Sequence, residues 1–143
     1  MTFISDLKFG EKYQVITKQK LGNSENIEIK QGKFKPYDII DNSSKIKYEI
    51  KSDKITYKSG NICIEYKCNN VDSGITSTES NYYYYYAVNI YSNRDYERFY
   101  IIPTDVIKKE ILKCTYFKSL YGGDGNRSQF YLFKEKIFQN YLQ

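Results

Sequence analysis

Residues 35–54, with the sequence KPYDIIDNSSKIKYEIKSDK, contain two apolar segments separated by a polar one. The segments YDIID at 37–41 and IKYEIKS at 46–52 have the composition and alternation of short β-strands, and the intervening NSSK at 42–45 is typical of a turn. The stretch therefore predicts an antiparallel hairpin, around which the rest of the fold can be arranged.

Two acidic side chains and a lysine are expected to meet across this hairpin. Because side chains alternate along a strand, Glu49 and Lys51 share one face of the second strand, and Asp38 in the first strand is expected to face them. Two carboxylates this close repel each other unless a cation lies between them or one is protonated. Mg²⁺ suits such a pair, because it usually takes one or two protein carboxylates and completes its shell with water and substrate phosphate. In such a site, Lys51 would position the attacking water for phosphodiester hydrolysis.

The same spacing has a simpler interpretation. Glu and Lys are common at solvent-facing strand positions, so Asp38, Glu49 and Lys51 can also be the exposed face of two ordinary strands. A second Glu-x-Lys pair, Glu65 and Lys67, leaves the choice of working pair open. The first pair is preferred because the aspartate lies one hairpin away from it.

The residue types that are missing exclude several kinds of chemistry. The chain has no histidine, so histidine-based acid/base catalysis is excluded. Its three cysteines, Cys63, Cys68 and Cys114, form no C-x-x-C pair, which argues against a tetrahedral zinc site. No histidine is present to activate a thiol nucleophile, and the cysteines are expected to be free. Any chemistry would have to use carboxylates, lysine, tyrosine, serine or cysteine, and an oxygen-seeking cation, Mg²⁺ or Mn²⁺, is a candidate cofactor.

Length and charge suggest the organisation and the type of partner. The 143 residues predict a single domain spanning residues 1–143, and the net charge of +5 favours a polyanionic partner such as DNA. No apolar run approaches the roughly 20 residues of a membrane-spanning helix. The N-terminus MTFISDLKFG lacks the basic and apolar regions of a secretory signal. We therefore expect no membrane partner and a cytoplasmic location.

The rest of the pattern predicts an α/β (α+β) fold with a central mixed β-sheet flanked by helices. Helical spacing of apolar residues predicts an N-terminal helix over 5–16. Further strands are predicted at 61–67, 82–92 and 97–103, and a second helix at 104–113. Thr104 is the predicted cap of that helix. The terminal segment 129–143 is predicted to be either a strand or a helix.

The hairpin residues resemble a known nuclease motif. The order P-Y-D, ten residues, E-I-K, carried by Pro36, Asp38, Glu49 and Lys51, is similar to the core of the PD-(D/E)XK nuclease superfamily. That family includes restriction endonucleases, Holliday-junction resolvases and many phage or virus nucleases. The resemblance implies a restriction-endonuclease-like core of helix, three strands, helix and strand. It also implies that Asp38, Glu49 and the Ile50 carbonyl hold Mg²⁺ or Mn²⁺ for DNA cleavage that leaves a 5′-phosphate, by a homodimer where both strands are cut.

Other positions follow from the same resemblance. The family carries a helix before its first core strand, often with a glutamate facing the metal, and Glu11 is placed accordingly for a second metal or the metal's water shell. Small viral members carry a Gly-Asn and a Glu on the third strand before a Ser-Gly-Ile-x-x-Thr segment. By this resemblance Asn61, Glu65, Ser73 and Thr76 would line the active-site edge and contact nucleic acid. The Gly-Asn pair can also be a simple hairpin turn.

Several basic and aromatic residues are candidates for nucleic-acid contact. Lys54, Lys58 and Lys67 can hold phosphates or can be ordinary solvated charges. The tyrosines at 82–86 offer stacking faces for unpaired bases, although strand alternation sends them to both faces and more often makes such a run part of a core. The sequence thus predicts a metal-dependent DNA endonuclease, a virus-type nuclease or resolvase. Two alternatives stay open, a catalytically inactive nucleic-acid-binding module of the same fold and a tyrosine-rich protein-interaction domain.

Overall fold

The computed structural model describes residues 3–32 and 35–143. Its helices are α1 (Phe3–Lys20), α2 (Thr56–Ser59) and α3 (Thr104–Leu112). Its strands are β1 (Ile27–Ile29), β2 (Ile39–Asp41), β3 (Lys47–Asp53), β4 (Asn61–Cys68), β5 (Val71–Asp72), β6 (Tyr82–Ala87), β7 (Arg98–Pro103), β8 (Lys118–Gly122) and β9 (Ser128–Lys134). Short 3₁₀ helices span Gly74–Thr76, Asp124–Asn126 and Glu135–Tyr141. None of the helices in these two ranges is both long and apolar enough to cross a membrane.

Five strands form a mixed sheet in the order β1-β2-β3-β6-β7. Strand β2 lies antiparallel to both β1 and β3, β6 lies parallel to β3, and β7 lies antiparallel to β6. The predicted hairpin is β2 and β3, in which Ile39 lies opposite Tyr48. Asp41 stabilises its turn, because one carboxylate oxygen accepts hydrogen bonds from the N–H and the hydroxyl of Ser43. The predicted α+β class with a mixed sheet is confirmed.

The tyrosine run forms β6 in the middle of this sheet. Tyr83 and Tyr85 are buried on one face, and Tyr84 and Tyr86 are buried on the other. Each is 7% exposed or less, and Tyr82 is half-buried. Alternation therefore places large aromatic side chains in two hydrophobic cores, and these four rings are not available for stacking on bases.

Helix α1 covers the face of the sheet that carries Tyr84 and Tyr86. The Tyr13 ring lies 5.2 Å from the Tyr86 ring, and the Thr17 hydroxyl forms a 2.7 Å hydrogen bond with the Tyr86 hydroxyl. Tyr13 and Thr17 are four residues apart, so they lie on the same side of the helix. Glu11, two residues before Tyr13, lies about 200° around the helix from it and is exposed.

A second, antiparallel sheet covers most of the opposite face. Its strand order is β5-β4-β9-β8, so the predicted strand at 61–67 belongs to this sheet and not to the mixed one. Ile62, Ile64 and Phe133 from this sheet pack with Tyr83 and Tyr85 in one core. Helix α3 contributes Ile107 to the same core, so this face is covered by strands together with a helix.

Three local expectations need correction or completion. Pro103, and not Thr104, is the N-cap of α3, because the helix already begins at Thr104; the buried Thr104 hydroxyl is hydrogen-bonded to Ser80 at 3.1 Å. Gly60 ends α2 with a φ of +72°, so the Gly-Asn pair is not a hairpin turn. The terminal segment 129–143, predicted as either strand or helix, contains both, since β9 is followed directly by a 3₁₀ helix.

Candidate active site

A cavity of about 450 Å³ opens where the β2–β3 hairpin meets the segment that follows β4. Asp38, Glu49 and Lys51 line its hairpin side, and Glu65 and Ser73 line the opposite wall. These residues come from positions 38 to 73 of the chain, and the two sheets bring them together. The hairpin residues thus meet Glu65 and Ser73, two of the four residues that the resemblance to small viral nucleases placed at the active-site edge.

Asp38 is held at the end of the β2–β3 ladder. Its N–H donates to the Tyr48 carbonyl at 2.9 Å, and its Oδ2 accepts a 2.7 Å hydrogen bond from the Ile50 N–H. Just before β2, the Asp38 carboxylate therefore accepts the hydrogen bond that a backbone carbonyl would accept within the ladder. Asp38 is 7% exposed. Because the N–H and C=O of one strand residue face the same edge, the Ile50 carbonyl also lies on the Asp38 side of β3.

Glu49 is the most perturbed acid of the cavity. Its side chain is 13% exposed, and its Oε1 lies 3.5 Å from the Lys51 ammonium. Burial raises the pKa of Glu49 to about 7, and the Asp38 charge adds to this increase, although Lys51 and Lys35 oppose it. A raised pKa from burial and a neighbouring carboxylate is what an acid pair without a cation should have. Perturbed acids in clefts are typical of functional sites.

Lys51 carries its charge at neutral pH. Burial acts to lower the pKa of its ammonium, but Glu49, Tyr83, Asp38 and Glu65 outweigh burial, and the pKa is raised above its ordinary value. An ammonium in this state donates hydrogen bonds and does not accept a proton. Lys51 can therefore orient a water molecule or bind a phosphate, but it cannot act as a general base at neutral pH.

Lys35 is a cavity residue that sequence reasoning missed. Its ammonium lies 3.2 Å from Asp38 Oδ1, in an ion pair that leaves the two side chains 21% and 9% exposed. The spacing of three residues before the aspartate was visible in the sequence. Nothing in the pattern, however, indicated that the segment before β2 turns this side chain toward the cavity.

The opposite wall is built on a close contact between β4 and the following 3₁₀ helix. The Ser73 hydroxyl donates a 2.6 Å hydrogen bond to Glu65 Oε2. Gly74 has a φ of +54°, and a Cβ at this position would lie 2.2 Å from the Glu65 carbonyl oxygen. Only glycine fits here, since the conformation is left-handed and the backbone of β4 is in contact. Glycine thus allows Ser73 to reach Glu65.

Residues at the end of the segment 73–79 form hydrogen bonds with the chain just before the hairpin. The Thr78 hydroxyl and the Glu79 N–H both donate to the Pro36 carbonyl, at 3.3 Å and 2.8 Å. Thr78 lines the cavity and Thr76 does not. The Thr76 hydroxyl is instead used inside the segment, where it donates to the Tyr66 carbonyl at 2.6 Å and accepts from the Ser73 N–H. The last threonine of the Ser-Gly-Ile-x-x-Thr segment is therefore the one at the cavity.

Five other predicted site residues lie outside the cavity lining. Glu11 is exposed on α1, which packs on the other face of the sheet from Glu49 and Lys51. Lys54 lies over the Phe9 ring of α1 at 4.4 Å, and Lys58 is exposed on α2. Asn61 accepts a hydrogen bond from Lys134 at 3.4 Å, and Lys67 lies beyond the β-bulge of β4, opposite Asp72 of β5. The structure therefore does not bring these five residues to the cavity.

The oxygen donors of the cavity fit Mg²⁺ or Mn²⁺. The carboxylates of Asp38 and Glu49 are both largely buried, and the Ile50 carbonyl lies on the same side of β3 as Asp38. Hard cations prefer such oxygen ligands. Within residues 3–32 and 35–143, no three Asp, Glu or Cys side chains are close enough to hold a metal by themselves. Mg²⁺ does not need three, because it keeps several waters in its shell. Neutralisation by a cation would also relieve the repulsion that contributes to the raised pKa of Glu49.

No family model matches the chain, and no curated protein matches it in sequence at a significant level.

Proposed function

We propose that this protein is a Mg²⁺- or Mn²⁺-dependent DNA endonuclease of the PD-(D/E)XK type. The observation that carries the proposal is the convergence of Asp38, Glu49 and Lys51 on one cavity, with Glu49 buried and its pKa raised to about 7. Surface residues on two ordinary strands would be well solvated and would not show this perturbation. The buried acid pair with an adjacent ammonium is the set that phosphodiester hydrolysis needs.

Each residue has a role that its surroundings support. Asp38 and Glu49 would hold the cation, with the Ile50 carbonyl as a further ligand. When bound, Mg²⁺ supplies Lewis-acid polarisation of a phosphoryl oxygen and lowers the pKa of water. Lys51 would orient the attacking water, since its ammonium stays protonated and can only donate. Lys35, whose ammonium pairs with Asp38, adds positive charge that favours a phosphate in the cavity.

The order of secondary structure also supports a restriction-endonuclease-like core. The chain runs through α1, β1, β2, β3, α2 and β6, and β6 lies parallel to β3. These elements follow the order of helix, three strands, helix and strand that the resemblance implies, with β3 as the third strand in place of β4, where the resemblance put Asn61 and Glu65. Strands β4 and β5 are inserted between α2 and β6, and they supply the wall that carries Glu65 and Ser73.

The tyrosine-rich interaction domain is less well supported. Protein interfaces are enriched in exposed aromatic side chains, but Tyr83, Tyr84, Tyr85 and Tyr86 of the tyrosine-rich strand are buried in the two cores. A catalytically inactive binding module of the same fold would keep the basic charge and lose the dependence on a cation. Its signature would be salt-dependent DNA affinity without cleavage.

Cleavage assays with site variants test the proposal. Wild type, Lys51→Met and Glu49→Gln would be incubated with branched, single-stranded and duplex DNA in Mg²⁺, in Mn²⁺ and in EDTA. We expect cation-dependent cleavage of at least one substrate by wild type, and a loss of about a hundredfold or more in kcat for both variants.

Lys108→Met is the matched control, because it removes an exposed lysine of α3 that lies outside the cavity. It should retain the wild-type rate. Absence of cleavage by wild type with either cation, or equal cleavage by all four proteins, would reject the nuclease function. Salt-dependent binding without cleavage would favour the inactive module.

A further inference from the structure

The Tyr83 hydroxyl is buried and lacks a hydrogen-bond partner among residues 3–32 and 35–143. The residue is 1% exposed. Unpaired buried hydroxyls are uncommon in proteins and destabilise the folded state, so such a group calls for an explanation. Its neighbour on the same face of β6 is different, because the Tyr85 hydroxyl donates to Asp53 Oδ2 at 2.8 Å and accepts from the Cys63 N–H at 3.0 Å.

Tyr83 lies beside the candidate active site. It is paired with Glu49 in the parallel register of β3 and β6, so both side chains are on the same face of the sheet. Lys51, two residues further along β3, points to that face as well. Burial raises the pKa of Tyr83, while the positive charge of Lys51 acts to lower it and the charges of Glu49 and Asp38 act to raise it. The register therefore places Tyr83 next to Glu49 and near Lys51 on one face of the sheet.

Lys51 is paired with Glu49, the same carboxylate that would bind the cation. Its ammonium lies 3.5 Å from Glu49 Oε1. If Glu49 directs its carboxylate to a cation, this ion pair weakens, and the Lys51 ammonium, whose side chain is 37% exposed, can then take another acceptor within its reach. The phenolic oxygen of Tyr83 can accept a hydrogen bond, and no described residue uses it.

We propose that Tyr83 is a positioning residue, whose hydroxyl accepts a hydrogen bond from Lys51 when Glu49 binds the cation. This inference rests on the nuclease function proposed above. The hydroxyl stays unpaired without the cation and becomes paired with it, and it then holds the ammonium in place for the attacking water.

The substitution Tyr83→Phe tests this role, because phenylalanine fills the same space without the hydroxyl. In EDTA the variant should melt at a higher temperature than wild type, since an unpaired buried group has been removed. Addition of Mg²⁺ should raise the melting temperature of wild type more than that of the variant, so that this advantage disappears. In cleavage assays kcat should fall roughly ten- to a hundredfold, as for loss of a hydrogen bond to a charged group, with KM unchanged.

Tyr85→Phe is the matched control on the same face of the same strand. It removes a hydroxyl with partners, so it should lower the melting temperature equally in EDTA and in Mg²⁺ and leave kcat unchanged. If Tyr83→Phe behaves like this control, or if its kcat equals that of wild type, Tyr83 is structural and the inference is overturned.

The melting measurements do not depend on nuclease activity. If wild type cleaves no DNA but Mg²⁺ still removes the stability advantage of Tyr83→Phe, the proposed function fails and the pairing of Lys51 with Tyr83 is retained. If Mg²⁺ leaves that advantage unchanged, the pairing is rejected whether or not the wild type cleaves DNA.

Discussion

Glu49 should destabilise the cation-free protein at neutral and alkaline pH, and Glu49→Gln should remove this effect. The pKa of Glu49 is about 7 in the folded protein, against 4.5 for an ordinary glutamate, because the carboxylate is buried beside Asp38. Folding therefore takes up a proton between these two values, and stability falls as pH rises from about 4.5 to about 7. The ionised side chain then costs about 3 kcal/mol at pH 8.

Glutamine has the shape of the protonated acid and carries no charge. At pH 8 in EDTA, Glu49→Gln should be more stable than wild type by about 3 kcal/mol, or roughly 10 °C in Tm for a domain of this size. At pH 5 the difference should fall below about 1 kcal/mol, since wild-type Glu49 is then protonated in the folded state.

Urea unfolding at pH 5 and pH 8 measures the effect, and tyrosine fluorescence can follow it because the chain has 17 tyrosines and no tryptophan. Glu79→Gln is the matched control, since its side chain is 60% exposed and pairs with Lys47 on the surface. That substitution should change stability by less than about 1 kcal/mol at either pH. A Glu49→Gln variant that is less stable than wild type at pH 8, or a gain that does not depend on pH, would refute the reasoning.

Two further predictions concern the walls of the cavity. Lys35→Gln removes the ammonium that pairs with Asp38, so titration calorimetry should show Mg²⁺ binding roughly fivefold tighter, equal to about 1 kcal/mol; unchanged or weaker binding would contradict a cation site at Asp38. Gly74→Ala places a Cβ against the Glu65 carbonyl in a left-handed conformation, and urea unfolding should show a loss of about 2 kcal/mol or more. Gly10→Ala is its control, since nothing lies within 4 Å of the added Cβ in α1 and a gain of up to about 1 kcal/mol is expected. Equal effects of the two alanines would contradict the close contact at Gly74.

The hairpin and its side chains could be predicted because they depend on local pattern. The alternation of Ile46, Tyr48 and Ile50 with charged residues sets the faces of β3, and the turn at 42–45 sets its pairing with β2. Once the register is known, Asp38 must lie beside Glu49. The proximity of Asp38 and Glu49 therefore follows from periodicity and turn chemistry, whereas the cavity itself does not.

The second sheet could not be predicted in the same way. Strand β4 pairs with β9, more than 60 residues further along the chain, and its alternation is equally compatible with the mixed sheet. Without this pairing the wall of the cavity is not defined, and Ser73 and Thr78 cannot be told apart from ordinary loop residues.

The expected position of Glu11 depended on which side of α1 faces the sheet. Tyr13 and Thr17 decide this, because they pack and hydrogen-bond with Tyr86 on the face opposite Glu49. For Tyr83 the sequence predicted a core residue, as expected for a tyrosine in an aromatic strand. Only the structure shows that its hydroxyl lacks a partner among the described residues, on the face of the sheet that carries Lys51.

A crystal structure of the protein soaked in Mg²⁺ tests the central claim most directly. We predict an ion about 2.0 to 2.1 Å from carboxylate oxygens of both Asp38 and Glu49, with water completing its octahedral shell. An ion bound elsewhere, or Asp38 and Glu49 still paired with Lys35 and Lys51 and no ion between them, would contradict it.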